Sequence, residues 1–235
     1  MARGTKRFFG IIAIIIFLLM IVGVVVRNSY TGFKNIKELS KVKNINEFRM
    51  SCGDIDEELL NSNVKTIDDV ANKSDLIVKV KISDEKIIED ADIKTKVKVE
   101  KIIKSDGRNI KKGDDIYIYE MINLSMVDDS IMTNAKYNYL DTGKEYYLCL
   151  NSLKTIKGYK KSEEEKKTYM YSTNYYSVYS ASKEQKVVKL SKKKIYNVEY
   201  KYRDLKDQVI LTSDKNVVDD YNKMSEKFVQ KYFES

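Results

Sequence analysis

The chain has no histidine, no proline and no tryptophan, and only two cysteines among its 235 residues. Each shortage removes some chemistry. Without histidine there is no Ser-His-Asp or Cys-His nucleophile, no imidazole proton shuttle and no imidazole metal ligand. Cys52 and Cys149 are too few to build a cysteine-rich zinc site. They permit at most one disulfide, and Cys149 sits in an apolar strand pattern, Tyr146-Tyr147-Leu148-Cys149-Leu150. A small buried thiol is the usual occupant of such a position, so two separate thiols are expected. No catalytic residue, no metal ligand and no cofactor is predicted.

Lysine, isoleucine, asparagine and tyrosine are abundant in place of the missing types. Their codons are AT-rich, so part of the bias belongs to a genome rather than to a function. The net charge of +8 comes from 43 basic residues interspersed with 35 acidic ones. A basic balance admits anionic lipid, wall polymer or nucleic acid as partners, but dispersed lysines read first as ordinary solvent-facing residues. Nucleic acid is not expected, because Lys192-Lys193-Lys194 is too short a run to support it.

One stretch breaks the polar composition. Phe8 to Val26 is an uninterrupted apolar run that, as a helix, would measure about 28 Å, close to a bilayer's hydrocarbon thickness. Its exit, Val24-Val25-Val26-Arg27-Asn28-Ser29, lacks the small residues that signal peptidase needs, which favours an uncleaved anchor over a cleaved signal. Arg3, Lys6 and Arg7 before the run favour a cytoplasmic N-terminus, against the opposing pull of Arg27, Lys34, Lys37, Lys41 and Lys43. The reading is therefore a single-pass cell-membrane protein with an extracytoplasmic C-terminal part. A basic tail covers 1–7, a transmembrane helix 8–26, a juxtamembrane linker 27–63 and an extracytoplasmic domain 64–235. Within the linker, Glu57-Glu58-Leu59-Leu60 suggests a short helical turn.

The domain begins with Thr66-Ile67-Asp68-Asp69, a capping-box pattern for a short helix. A strand follows over 76–82, with a polar turn over 84–90. Residues 92–104 alternate Ile93, Thr95, Val97 and Val99 against Lys94, Lys96, Lys98 and Glu100, the period of a strand with one charged face. Further strands are expected at 116–120 and 145–150, separated by a loop over 121–135, and another at 196–202. Lys160 to Lys167 reads as a solvated turn. Tyr169, Tyr171, Tyr175, Tyr176 and Tyr179 make a tyrosine-rich stretch. They are the candidate partner-binding surface, since exposed rings stack on sugars or bases; the alternative is two strands with half-buried tyrosines. Val217, Val218, Tyr221, Met224, Phe228 and Tyr232 place one apolar face on a helix from about Asp214, which docks on its own domain or on a partner. The predicted fold is mainly β, a small antiparallel barrel with an N-terminal transmembrane helix and a C-terminal amphipathic helix.

The segments 66–82 (TIDDVANKSDLIVKVKI), 95–120 (TKVKVEKIIKSDGRNIKKGDDIYIYE) and 139–153 (YLDTGKEYYLCLNSL) carry a resemblance. Together they resemble a β-rich domain of exported proteins of Gram-positive bacteria, similar to the OB-like barrel of netrin and TIMP-type modules. The resemblance implies a fold rather than an active site. TIMP-type protease inhibition needs a cysteine at the start of the domain, and none stands there.

The function expected from these features is a non-enzymatic interaction module for an envelope protein or polymer. The alternatives are a membrane-anchored immunity or regulatory protein, and a histidine-independent envelope hydrolase. For the hydrolase, Ser125 is a faint nucleophile candidate with no nameable lysine base, and Asp68-Asp69 and Asp128-Asp129 read as surface residues.

Overall fold

The computed structural model describes residues 3–30, 34–52, 64–89, 92–133, 136–182 and 187–233. It divides into two compact units, Met1–Lys34 and Asn35–Ser235. The first is a single helix, α1 (Arg3–Tyr30), whose side chains are described over 9–24 and are exposed. The expectation of a transmembrane helix at 8–26 is corrected here. Among the described residues no helix is long and apolar enough to cross a membrane. The single-pass localisation, its orientation and the extracytoplasmic placement fall with that helix.

The second unit opens with α2 (Ile36–Val42), a 3₁₀ turn (Ile45–Glu47) and strand β1 (Arg49–Cys52). Asn35 caps α2 by accepting from the Glu38 amide at 2.9 Å, and Leu39 is fully buried. Residues 35–52 are thus folded into the domain, which corrects the assignment of 27–63 to a linker. The turn proposed for 57–60 lies outside the described residues. Next come α3 (Ile67–Lys73), β2 (Leu76–Glu89), β3 (Asp92–Lys104), β4 (Asp115–Ser125), β5 (Ser130–Thr133) and β6 (Glu145–Ser152). The chain closes with α4 (Glu163–Lys166), β7 (Thr168–Tyr171), β8 (Val178–Ser180), α5 (Lys192–Tyr196), α6 (Tyr202–Leu205) and α7 (Lys215–Phe233). The fold is mixed α/β with an eight-stranded sheet, so the mainly β, wholly antiparallel expectation is corrected. Two of its pairings, β1 with β5 and β4 with β7, are parallel.

The sheet runs β1-β5-β4-β3-β2-β6-β7, with β8 beside β6 and a further pairing of β4 with β7. Strands β4, β3, β2, β6 and β7 therefore pair in a closed circuit. Inward positions repeat every second residue, as the pleat requires: Val78, Val80 and Ile82 on β2, Val97 and Val99 on β3, Ile116 and Ile118 on β4. At Met121 β4 takes φ +47, and beyond it the strand leaves the circuit to pair with β5. The expected polar turn at 84–90 is instead the second half of β2, carried across a register shift between Ile82 and Lys86. The expected loop at 121–135 holds the end of β4 and all of β5.

Charged side chains are also buried in the sheet, Glu120 and Lys86 among them. Glu120 continues the apolar stripe of β4, and its carboxylate accepts from Lys86 Nζ, Thr95 Oγ1 and, at 2.8 Å, the Leu140 amide. Lys86 also donates to the Leu140 carbonyl at 2.7 Å and lies 3.8 Å from the Tyr139 ring centroid. Burial drives the Lys86 ammonium below its ordinary pKa, and the Glu120 charge opposes that shift. The group ties β2, β3 and β4 to the segment before β6.

Candidate functional site

The tyrosines proposed as a binding surface are inside the molecule. Tyr169, Tyr171, Tyr175, Tyr176 and Tyr179 are all at most 5% exposed. Tyr169 donates to Asp106 at 2.9 Å, while Tyr171 lies 4.6 Å from Tyr137, centroid to centroid. Tyr179 stacks on Phe228 of α7 at 4.3 Å and on Tyr221 at 5.7 Å, and Tyr176 stacks on Tyr221 at 6.4 Å. Tyr176 and Tyr179 seat the C-terminal helix, and none of the five rings is exposed.

The remaining sequence candidates also have structural places. Thr66 and Asp69 form the capping box of α3, with Asp69 N to Thr66 Oγ1 at 3.1 Å and Thr66 N to Asp69 Oδ2 at 2.8 Å. Asp68 pairs with Lys231 of α7 at 2.6 Å. Asp128 and Asp129 close the turn between β4 and β5, where they meet Arg49 and Lys43. Ser125 ends β4 opposite Ser130, and the next residue, Met126, accepts from Lys43 Nζ at 2.8 Å through its carbonyl. Both cysteines are free thiols. Among the described residues no group of three His, Cys, Asp or Glu is placed to hold a metal.

A concavity lined by polar groups lies elsewhere, between β1, α5 and the start of α7. It has a volume of about 610 Å³. Four segments supply its walls: Ser51 and Cys52 end β1, Lys136 follows β5, Lys189 to Val198 carries α5, and 211–215 leads into α7. Backbone bonds fix these segments to one another. Leu190 N reaches Thr212 O at 2.9 Å, Leu211 N reaches Lys136 O at 2.7 Å, and Met50 N reaches Tyr200 O at 2.8 Å. Ser191 caps α5 through the Lys194 amide, and its own amide donates to Tyr200 Oη at 3.1 Å. Residues 196–202, expected as a strand, form instead the end of α5, a turn and the start of α6. Only an isolated bridge from Lys201 to Arg49 remains of strand pairing there.

Lys136, Lys189, Lys192 and Lys215 line this cleft against one carboxylate, Asp214. Asp214 is turned to its own helix, where Oδ1 accepts from the Asn216 amide at 2.7 Å. Lys215 pairs with Asp219 at 2.6 Å on the exposed face, and Lys192 Nζ stands 5.7 Å from the Tyr196 ring centroid. Neither Lys189 nor Lys192 has a carboxylate partner among the described residues. Ser51, Thr212 and Ser213 add hydroxyls, and Ile195, Tyr196, Val198 and Leu211 add an apolar wall. Two lining residues, Lys136 and Val198, hold the left-handed conformation at φ +54 without being glycine. For a β-branched residue such as Val198 this conformation costs about 1–3 kcal/mol, and strain of that kind gathers at ligand sites. Cys52 accepts from Thr133 Oγ1 at 3.5 Å, and burial raises its pKa, so the thiol stays protonated and a poor nucleophile.

Sequence reading does not find this site. Its lysines are scattered from 136 to 215, and only Lys192, in the short lysine run, draws attention by itself. A linear signal is missing because the cleft is assembled from segments that pair only after folding. Comparison of the chain with known proteins gave no match to any family model and none to a curated protein.

Proposed function

We propose that the protein is a non-enzymatic interaction module that holds an anionic group of its partner, a protein or a polymer, in the lysine-lined cleft. One observation carries this reading: Lys189 and Lys192, which have no carboxylate partner among the described residues, line one concavity with Lys136 and Lys215, and its single lining carboxylate, Asp214, is engaged by its own helix. Like charges brought together repel, and their cost is offset when an anion binds among them. The protonated thiol of Cys52 and the lack of a neighbouring base favour binding over covalent chemistry. The likeness of residues 66–153 to the β-rich modules of exported proteins belongs to the same proposal. It is supported by the succession of α3, β2, β3, β4 and β6, which follows the helix and strands of that pattern.

The test is titration of the full chain with linear polyphosphate and with polyaspartate over a range of salt concentrations. Binding that weakens steeply with salt is expected. In Lys189→Gln/Lys192→Gln the affinity and its salt dependence both drop, whereas Lys98→Gln/Lys112→Gln, on exposed lysines away from the cleft, matches the wild type. Equal losses in the two double variants would show that net charge alone attracts the polyanions, and would remove the cleft from the account.

A further inference from the structure

We infer that the group seated in the cleft is a phosphate ester, its phosphate among the lysines and its organic part on the apolar wall. This rests on the reading of the cleft as an anion site and specifies its ligand.

The donor set favours phosphate over carboxylate. All four cations are lysines, and no arginine lines the cleft. Lysines act as point charges that can be arranged around a tetrahedral oxyanion. Ser51, Thr212 and Ser213 offer hydroxyls, each a rotatable donor, and a phosphate has enough oxygens to accept from several at once.

An inorganic ion leaves the other half of the cleft without purpose. Ile195, Val198 and Leu211 form a continuous apolar lining, and the Tyr196 ring stands 58% exposed beside them. The volume of about 610 Å³ falls in the range of sites for small organic molecules. The strained Val198 belongs to this wall, so the backbone holds its unfavourable conformation where the organic part would lie. A free phosphate ester and one unit of a phosphodiester polymer share this chemistry.

Calorimetric titration of the full chain at low salt distinguishes the possibilities. Phenyl phosphate is expected to bind about tenfold or more tightly than inorganic phosphate, because its ring removes apolar wall from water. It should exceed isophthalate, which offers a ring and two negative charges on carboxylates, by a similar factor of about ten. Lys189→Gln/Lys192→Gln should weaken phenyl phosphate by about tenfold or more. Glycerol 3-phosphate against poly(glycerol phosphate) then assigns the source: tighter binding per phosphate in the polymer indicates a polymer, and equal binding a small ester. Isophthalate binding as well as phenyl phosphate overturns the phosphate assignment while leaving an anion site. Inorganic phosphate binding as well as phenyl phosphate overturns the role of the apolar wall. If no probe binds and the polyanion titrations are also silent, the anion-site reading fails with it.

Discussion

Glu120 is the residue on which the closed circuit of strands most depends for its polar balance. It replaces an apolar side chain in the inward stripe of β4, and its two oxygens are engaged by Lys86, Thr95 and the Leu140 amide. Glu120→Gln should cost about 3–5 kcal/mol in urea unfolding, since it leaves the Lys86 ammonium buried without its counter-charge. The double variant Lys86→Met/Glu120→Leu should lose less than the two single changes added together. Two other buried polar atoms invite the opposite result. Among the described residues Tyr171 Oη and Tyr179 Oη have no hydrogen-bond partner. Tyr171→Phe and Tyr179→Phe are therefore expected to be neutral or to stabilise by about 1 kcal/mol in the same assay. Asp75 supplies a pH dependence. It accepts from the Ser152 amide and hydroxyl at 3.0 Å each, and the amide bond above all holds its carboxyl below the ordinary value of 3.8. A folded pKa below the unfolded one means that the stabilisation is complete above the unfolded value and is lost as pH falls through the folded one. Asp75→Asn should thus flatten the loss of stability below about pH 4, measured by unfolding at a series of pH values.

At the scale of elements, α7 is the piece that decides what the tyrosines do. Phe228 is fully buried, stacked on Tyr179 and edge-on to Tyr147 at 5.8 Å, while Tyr221 donates to the Val178 carbonyl at 2.5 Å. Phe228→Ala should cost about 3–5 kcal/mol and expose the tyrosines, which tyrosine fluorescence and a lowered thermal midpoint would report. The helix itself is legible in the sequence, because Val217, Tyr221, Met224 and Phe228 repeat at helical spacing. So are the capping box of α3 and the strand at 92–104, where local chemistry and period agree. What sequence does not reveal is which surface covers which. A row of tyrosines reads as a binding face or as two strands with half-buried rings, and the docking of α7 is not written in it. Residues 196–202 alternate like a strand, yet Val198 at φ +54 and the capped α5 turn the chain away. The polar segment 84–89 reads as a turn because the partner that satisfies Lys86 lies 34 residues further on. The apolar run of α1 reads as a membrane helix from composition, whereas among the described residues no helix is long and apolar enough to cross a membrane.

At the scale of the whole molecule, the net charge of +8 is not spread evenly in effect. Two of the five lysines on β3 face carboxylates: Lys94 meets Glu89 and Glu164, and Lys96 meets Glu85 and Asp115. The cleft between β1, α5 and α7 is where cations gather with one engaged aspartate. That contrast turns a general basic character into a located one, and it makes Lys189 and Lys192 reporters, since both line the cleft and neither has a carboxylate partner among the described residues. The most direct measurement is the rate of acetylation at Lys189 and Lys192 in the full chain, read by mass spectrometry beside the exposed Lys98 and Lys112, with and without saturating polyphosphate. Polyphosphate is expected to slow acetylation at Lys189 and Lys192 and to leave Lys98 and Lys112 unchanged. Rates at Lys189 and Lys192 that bound polyphosphate does not change would contradict the cleft as the binding site.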